Sequence, residues 1–181
     1  MNIKLTTEQL NRPDITEYGK LKKIPVRLVL ENIRSRNNIG SVFRSADAFL
    51  IEEIILCGYT AQPPHRDIQK TALGATETVK WRYFKDTTSA IEALKNDGFS
   101  VWAIEQTSKS IFLQDFDFSG ESPIALVLGN EVHGIESTTL DQCNGSIEIA
   151  QFGTKHSLNV AVCAGIFLHF ANHQLLTTSS E

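Results

Sequence analysis

Short apolar runs alternate with segments of helical periodicity along most of this chain of 181 residues. The apolar runs have the length and the β-branched content of buried strands, and they centre near residues 27, 54, 80, 101, 126 and 148. Between these runs, apolar residues recur at helical spacing, as at Ile39, Val42, Phe43, Ala46 and Phe49. The alternation predicts an α/β fold with a mostly parallel sheet and helices on both faces.

The last strand and helix differ from the others because the helix has no polar stripe. Ile147 and Ile149 indicate the end of a strand, and Gly153 indicates a turn. The following helix is predicted to begin at Ser157 and to run to about Phe170. A helix that is apolar nearly all round is either deeply buried or part of a subunit interface. The polar loop before it lies at a strand-to-helix junction, where α/β folds bind ligands.

Composition and charge fit one globular domain with a substantial core, since 41% of the residues are hydrophobic and 21% are charged. A net charge of -4 argues against nonspecific wrapping of nucleic acid, although it leaves room for a local basic patch. Cys57, Cys143 and Cys163 are predicted to be buried thiols in a reducing compartment. The polar N-terminus has no secretory signal, and no apolar run suits a membrane span, so we expect a cytoplasmic protein without membrane contact.

Two regions are expected along the chain. Residues 1–24 form an N-terminal basic arm, helical or irregular, whose charges cluster near its end at Lys20, Lys22, Lys23 and Arg27. Residues 25–181 form the α/β domain, and its tail, residues 175–181, is expected to be frayed. A solvated, charged surface is the simplest interpretation of the arm.

Polar clusters follow three of the predicted strands. They are Asn32 with Arg34, Asn38 and Arg44; residues 129–134; and residues 153–159. Because the carboxyl ends of parallel strands meet at one edge of a sheet, the three clusters are expected to converge on one crevice. Each cluster alone has a simpler explanation: the first as a helix cap, and the second as a turn with a surface acid.

Other familiar chemistries lack their signatures. The chain has no Walker loop and no G-x-G-x-x-G after its first strand, which argues against the common nucleotide-phosphate sites. His133 and His156 have no partners at metal-ligand spacing, so no metal is expected. Ser41 and Ser157 lack the elbow motif of serine hydrolases.

Taken together and in this order, the three clusters resemble the motifs of the SpoU (TrmH) family of RNA 2′-O-ribose methyltransferases, within the SPOUT superfamily. The motifs are ENIRSRNNIGSVFRSADAF, ALVLGNEVHGI and IEIAQFGTKHSLNVAVCAGI, and the stretch IQKTALGATETVKW also looks like the family's middle region. The resemblance spans about Val26 to Phe170. It departs from many members at Ala150, where they have proline.

The resemblance implies a SPOUT methyltransferase domain whose C-terminal part is tied in a deep trefoil knot, and a homodimer with the site near its interface. It implies catalytic or positioning roles for residues that match the family motifs: Arg44, Asn38, Glu131, Ser157 and Asn159. It also implies a pocket for S-adenosylmethionine lined by a second set: Thr107, Leu128, Gly129, Ile149, Gln151 and Leu158.

The implied reaction is transfer of a methyl group to a ribose 2′-hydroxyl of RNA. Because guanidinium is a poor base, we expect Arg44 to orient the hydroxyl and stabilise developing negative charge, with a phosphate or transient proton loss completing the step. The loop GTKHSLNV resembles the loop of the tRNA-modifying members of the family more than that of others, and this resemblance favours tRNA over ribosomal RNA as the substrate. The alternatives are an rRNA enzyme, a base methyltransferase of the same superfamily, and a catalytically silent RNA-binding dimer. The candidate phosphate contacts are Lys20, Lys22, Lys23, Arg34, Arg36, Arg66, Lys70 and Lys155.

Overall fold

A computed structural model describes residues 2–177, and within them the chain builds one sheet of seven strands. The strands are β1 (Ile24–Glu31), β2 (Ile51–Cys57), β3 (Trp81–Phe84), β4 (Ser100–Ile104), β5 (Ile111–Phe112), β6 (Ile124–Leu128) and β7 (Gly145–Glu148). Their order across the sheet is β3-β2-β1-β6-β4-β7-β5, and every neighbouring pair is parallel. The predicted parallel α/β fold is therefore confirmed. Strand β5 was not predicted, because two residues show no periodicity.

Helices cover both faces of the sheet, as predicted. They are α1 (Ile15–Lys20), α2 (Arg36–Ala48), α3 (Arg66–Ala72), α4 (Ala75–Thr78), α5 (Thr87–Asn96), α6 (Ser137–Leu140) and α7 (Val160–Thr177). Phe43 of α2 and Phe167 of α7 belong to the larger apolar core on one face. Ile91 and Leu94 of α5 belong to the smaller core on the other face.

The first motif folds as a buried strand followed by a capped helix. Leu28, Val29 and Leu30 of β1 are fully buried, because β1 lies inside the sheet and is covered on both faces. Ser35 caps α2 by accepting a hydrogen bond from the Asn38 backbone N–H. A Cβ on Gly40 would overlap the Ile68 carbonyl of α3, so glycine permits this close helix packing.

Helix α7 begins later than predicted. Ser157 lies in an exposed loop, and Val160 is the first helical residue. The reason is the better capping group two residues further on: the Asn159 side chain accepts hydrogen bonds from the backbone N–H groups of Ala161 and Val162, at 2.9 and 3.3 Å. The helix also runs to Thr177, beyond the predicted end near Phe170.

The N-terminal arm docks on the domain through Tyr18. This ring is 4% exposed, its hydroxyl donates to the Asp47 carbonyl at 3.3 Å, and the Lys23 ammonium lies 3.4 Å from the ring centroid. Arg27 was wrongly grouped with the basic residues of the arm. It lies in β1 and pairs with Glu52 and Asp97 at 2.6 and 2.7 Å, so its charge is neutralised within the fold.

The predicted arm and tail extend beyond the residues that the structure describes. Residue 1 of the arm and residues 178–181 of the tail lie outside them, while residues 175–177 complete α7. No helix within residues 2–177 is long and apolar enough to cross a membrane. The same residues contain no group of three or more acidic, histidine or cysteine side chains placed to hold a metal ion.

Candidate active site

A cavity of about 960 Å³ lies at the carboxyl edge of the sheet, where the three polar clusters meet. Its walls come from segments at or just after the carboxyl ends of four different strands: 34–38 at β1, 104–106 at β4, 128–135 at β6 and 147–160 at β7. These four segments converge because parallel strands all end at the same edge of the sheet. The volume lies within the range of small-molecule and cofactor sites.

A chain of hydrogen bonds joins the three motifs beside this cavity. The Asn159 amide donates to Asn38 Oδ1 at 3.1 Å, and the Asn38 amide donates to Glu131 Oε1 at 3.0 Å. These residues are 121 and 93 positions apart in the sequence, so folding alone brings them together. Each amide both donates and accepts, which fixes the direction in which Asn38 presents its oxygen.

Glu131 fastens the second motif to the first. Besides the Asn38 amide, its carboxylate accepts the backbone N–H groups of Arg34 and Ser35, at 2.9 and 3.0 Å. Partial burial by itself would raise the pKa of Glu131, but these backbone and amide donors outweigh burial and hold that pKa below its usual 4.5. The carboxylate is therefore ionised at neutral pH and serves as an acceptor.

The loop of the second motif is shaped by glycines and by Asn130. A Cβ on Gly129 would overlap backbone atoms of Gly134 and Ile135, because the loop folds back closely on itself. Gly134 has a positive φ of 68°, which glycine adopts without strain. Asn130 is 6% exposed, and its side-chain oxygen accepts the backbone N–H groups of Val132 and His133 at 2.9 and 3.0 Å. The loop is thus held in one conformation from within.

Residues outside the three predicted sets also support the site. Glu105, after β4, accepts the Ile135 backbone N–H at 3.1 Å and lines the cavity. The neighbouring Gln106 amide donates to the His156 carbonyl at 2.9 Å and so ties down the loop before α7. The sequence signal for both was weak, since they follow a strand but belong to none of the three motifs.

Two further side chains hold segments that adjoin the site, and sequence reasoning gave neither a role. Glu31 is 1% exposed and accepts the Glu136 backbone N–H at 2.9 Å and the Thr139 hydroxyl, joining β1 to α6. The Tyr59 hydroxyl lies 2.7 Å from the Asn130 amide nitrogen, which donates to it.

The structure brings most of the predicted site residues together. Nine of them line the cavity: Asn38, Leu128, Gly129, Glu131, Ile149, Gln151, Ser157, Leu158 and Asn159. Thr107 does not line it, because its hydroxyl is turned to Ser146, 2.7 Å away. Arg44 does not line it either. Arg44 is exposed on α2, six residues and about 9 Å of helix beyond Asn38.

Most of the predicted phosphate contacts are exposed charges. Arg34 lines the cavity, while Arg36, Arg66, Lys70 and Lys155 lie exposed on the surface. None of these five side chains forms an ion pair within residues 2–177. Lys23 differs, because its ammonium donates to the Tyr18 carbonyl at 2.5 Å and stacks on the Tyr18 ring.

Comparison with known proteins gives consistent matches. The SpoU rRNA Methylase family profile matches residues 25–169. The 23S rRNA (guanosine-2′-O-)-methyltransferase RlmB of Vibrio parahaemolyticus is 29% identical over 169 residues, covering 93% of this chain and 67% of that protein. RlmB of Neisseria meningitidis is 30% identical, covering 85% of this chain and 60% of that protein. This chain thus spans about two thirds of the length of these curated relatives.

Solved structures share the fold. The A. aeolicus TrmH/SpoU tRNA modifying enzyme superposes with a TM-score of 0.81 at 21% identity, covering 91% of this chain and 82% of that one. The AdoMet-bound rRNA methyltransferase from Sinorhizobium meliloti gives 0.79 at 25% identity, covering 87% and 60%. The family predicted from the three motifs is confirmed, and the match over residues 25–169 establishes that this chain belongs to the SpoU rRNA Methylase family.

Proposed function

We propose that this protein is an S-adenosylmethionine-dependent methyltransferase that modifies a ribose 2′-hydroxyl of RNA. The observation that carries the proposal is the hydrogen-bonded chain from Asn159 through Asn38 to Glu131, which joins the three motifs beside one cavity. Methyl transfer requires donor and acceptor to be held in line, and a rigid polar chain at the mouth of a cofactor-sized cavity supplies such positioning. The relatives named 23S rRNA (guanosine-2′-O-)-methyltransferases support the same activity.

The residues of the cavity fit S-adenosylmethionine. Leu128, Ile149 and Leu158 offer apolar surface for a purine ring, and the segments around them offer backbone hydrogen-bonding groups. Glu105 and Glu148 add carboxylates to the wall that already holds Glu131, and negative charge suits a ligand with a sulfonium and an ammonium group. When bound there, S-adenosylmethionine supplies the electrophilic methyl group.

The polar residues of the cavity position groups, and none of the hydrogen-bonded chain serves as a base. Asn38 and Asn159 are amides, which do not take up a proton at neutral pH. Glu131 already accepts three hydrogen bonds, and its lowered pKa makes it a weak base. We assign these residues, together with Ser157, to orienting the acceptor ribose and holding the loops.

Arg44 is proposed to act across a homodimer interface. It stands exposed on α2, and α2 packs against α7 such that a Cβ on Gly165 would lie 3.8 Å from Ser45 Oγ. Helix α7 also carries exposed apolar residues, which we call its apolar stripe: Val162 and Phe170 are 53% and 36% exposed. Pairing two such stripes about a twofold axis would carry Arg44 toward the partner's cavity, where its guanidinium would orient the hydroxyl.

Two variants test the dimer and the arginine separately. Val162→Glu places a charge in the apolar stripe, and we expect a monomer by light scattering at concentrations where the wild type is a dimer. Arg44→Ala should remain dimeric and bind S-adenosylmethionine normally, yet lose methyl transfer. A dimeric Val162→Glu protein would exclude this interface, and an active Arg44→Ala protein would remove Arg44 from the mechanism.

A deep trefoil knot is also part of the proposal. Strand β7 lies between β4 and β5, although β5 comes earlier in the chain, so the chain must enter a gap that residues 105–123 already span. We propose that it then passes beneath that span. The contact between the two segments supports this path, since the Gln174 side chain of α7 bonds the backbone of Phe116 and Phe118, at 3.1 and 2.9 Å. This path is rare in proteins, and tracing the chain in an experimental electron-density map would test it.

The RNA class is proposed on the sequence of the loop before α7. That loop favours tRNA, and one solved relative is named a tRNA modifying enzyme. The curated relatives are instead named 23S rRNA methyltransferases, so ribosomal RNA is the second candidate. We place the reaction in the cytoplasm, because the three cysteines are free thiols, as a reducing compartment requires.

The deciding experiment measures methyl transfer directly. The protein is incubated with labelled S-adenosylmethionine and either purified tRNA or protein-free ribosomal RNA, and the modified nucleotide is mapped. We expect a label on ribose that survives base removal, and greater incorporation into tRNA. Label on a base would favour the base methyltransferase alternative. The proposal would be refuted if the protein bound no S-adenosylmethionine and transferred no label to any RNA. That result would favour the silent RNA-binding dimer.

A further inference from the structure

Two aromatic rings stand out in solvent at the rim of the cavity. Phe152 is 97% exposed and Tyr59 is 60% exposed, and no other phenylalanine, tyrosine or tryptophan within residues 2–177 is as exposed as either. Phe152 follows Gln151, which lines the cavity. The Tyr59 hydroxyl accepts a hydrogen bond from Asn130, which also lines it. An isolated apolar residue on a surface needs no explanation, but two such rings flanking one cavity indicate a ligand.

The rings belong to segments that leave the sheet at separate strands. Tyr59 follows β2 and Phe152 follows β7, and in the sheet these strands are separated by β1, β6 and β4. The two strand ends are four strand spacings apart, about 19 Å, and Tyr59 reaches from its own side toward Asn130, which follows β6. Both strands end at the same edge as the cavity, so a bound strand of RNA could pass from one ring across the cavity to the other.

The charges between and beside the rings suit an RNA backbone. Arg34 lines the cavity between them, and Lys155 lies three residues from Phe152 on the same exposed loop. Neither side chain forms an ion pair among the described residues. Exposed aromatic rings interleaved with unpaired basic groups are the pattern by which proteins hold unpaired nucleotides.

We propose that Tyr59 and Phe152 are stacking platforms for unpaired bases on the two sides of the target nucleotide. The substrate would then be a single-stranded segment or loop of RNA, because bases inside a duplex are stacked on their neighbours and their faces are not available. This inference rests on the proposed function for the position of the target ribose. Tyr59 is a pre-positioned platform, since its hydroxyl is anchored, while Phe152 is free to adjust to the base it meets.

The test measures binding of a short fluorescein-labelled RNA of mixed sequence, both single-stranded and annealed to its complement. Fluorescence anisotropy is recorded with the full chain saturated with S-adenosylhomocysteine. Phe152→Leu and Tyr59→Leu keep apolar bulk but remove the ring, and each should weaken binding of the single strand by roughly 5- to 150-fold. Phe152→Trp is the matched control for the first ring, because it keeps an aromatic face, and we expect it to bind the single strand as the wild type does. Tyr59→Phe keeps the ring but loses its anchor to Asn130, so we expect it to bind more weakly than the wild type and more tightly than Tyr59→Leu.

The outcomes separate this inference from its alternatives. Leucine variants that bind the single strand like the wild type would overturn it, as would an equal loss of duplex binding. A change in oligomeric state, seen by light scattering, would overturn it too, because it would assign the rings to a protein interface. Failure of the proposed function gives a different result: the wild type would then transfer no methyl group and bind no S-adenosylmethionine, whatever the RNA titration shows.

Discussion

The substitution Glu131→Gln tests whether the tether between the first and second motifs is required for activity. Glutamine is nearly the same size as glutamate, but it replaces one acceptor oxygen with an NH₂ donor. That donor would face either the Arg34 N–H or the pair formed by the Ser35 N–H and the Asn38 amide. In the better orientation only the bond from Arg34 is lost, and the other two become hydrogen bonds to a neutral acceptor.

The size of the effect follows from these bonds. A hydrogen bond to a charged group contributes about 1.5–3 kcal/mol and a neutral one about 0.5–1.5 kcal/mol. Because the Arg34 backbone is open to water, which replaces part of the lost bond, we take a net loss of about 2 kcal/mol in the positioned state. If that loss is felt in the transition state, kcat/KM for methyl transfer falls by roughly 30-fold.

The assay compares kcat/KM for labelled methyl transfer to RNA in Glu131→Gln and Glu148→Gln. Glu148 lines the same cavity, but its carboxylate makes no side-chain hydrogen bond within the described residues, so Glu148→Gln removes an equal charge without removing a tether. Because Glu105 and Glu131 still supply negative charge to the cavity in Glu148→Gln, we expect this variant to lose less activity than Glu131→Gln. Equal losses in the two variants would mean that charge, not the tether, matters, and wild-type activity in Glu131→Gln would refute the reasoning.

Three further predictions concern stability and cofactor binding. The folded-state pKa of Glu131 lies below 4.5, so its contribution to stability is present above that pH and is lost as the pH falls through the folded-state pKa. In urea titrations, the difference in the free energy of unfolding between wild type and Glu131→Gln should stay constant from pH 7 to about pH 5 and should narrow as the pH falls below 4.5. Gly129→Ala forces backbone overlap and should lower the free energy of unfolding by about 1–3 kcal/mol and abolish S-adenosylmethionine binding in calorimetry. Gly153→Ala, with open space around it, should change neither quantity. Phe167→Ala, in the core beneath α7, should cost about 3–5 kcal/mol in the same titrations, and a cost below 1 kcal/mol would mean that α7 is loosely packed.

Local pattern predicted much of the fold. The patterns of β1 and α2 follow from burial alone. A strand that is covered on both faces has a continuous apolar run, and a helix that is covered on one face has apolar residues at helical spacing. Ser157 was predicted as the first residue of α7, yet the helix begins at Val160 and Asn159 is its cap. The position of the cap also involves a tertiary contact, because Asn159 is bonded to Asn38, far away in the sequence.

The residues of the site also fall into two groups: those that the sequence identified and those that only the tertiary structure revealed. The motif residues that line the cavity were identified because they follow parallel strands and match an ordered set of motifs. Glu105 and Gln106 were missed, because their contacts with Ile135 and His156 join segments that have no fixed relation in sequence. Thr107 was placed in the pocket by resemblance, while in the fold its hydroxyl bonds Ser146. The direction of a side chain depends on which neighbour it hydrogen-bonds to, and the sequence pattern does not identify that neighbour.

By itself the sequence determined the class of fold, the residue types available for chemistry and the family, because periodicity, composition and ordered motifs are all local properties of a chain. Tertiary structure alone decided that β7 lies between β4 and β5, that Asn159, Asn38 and Glu131 form one hydrogen-bonded chain, and that Arg44 stands outside the cavity. The physical reason is that strand order and hydrogen-bond partners are fixed by the packing of segments that are distant in sequence. Their free energies depend on the whole fold, so no single stretch of residues encodes them.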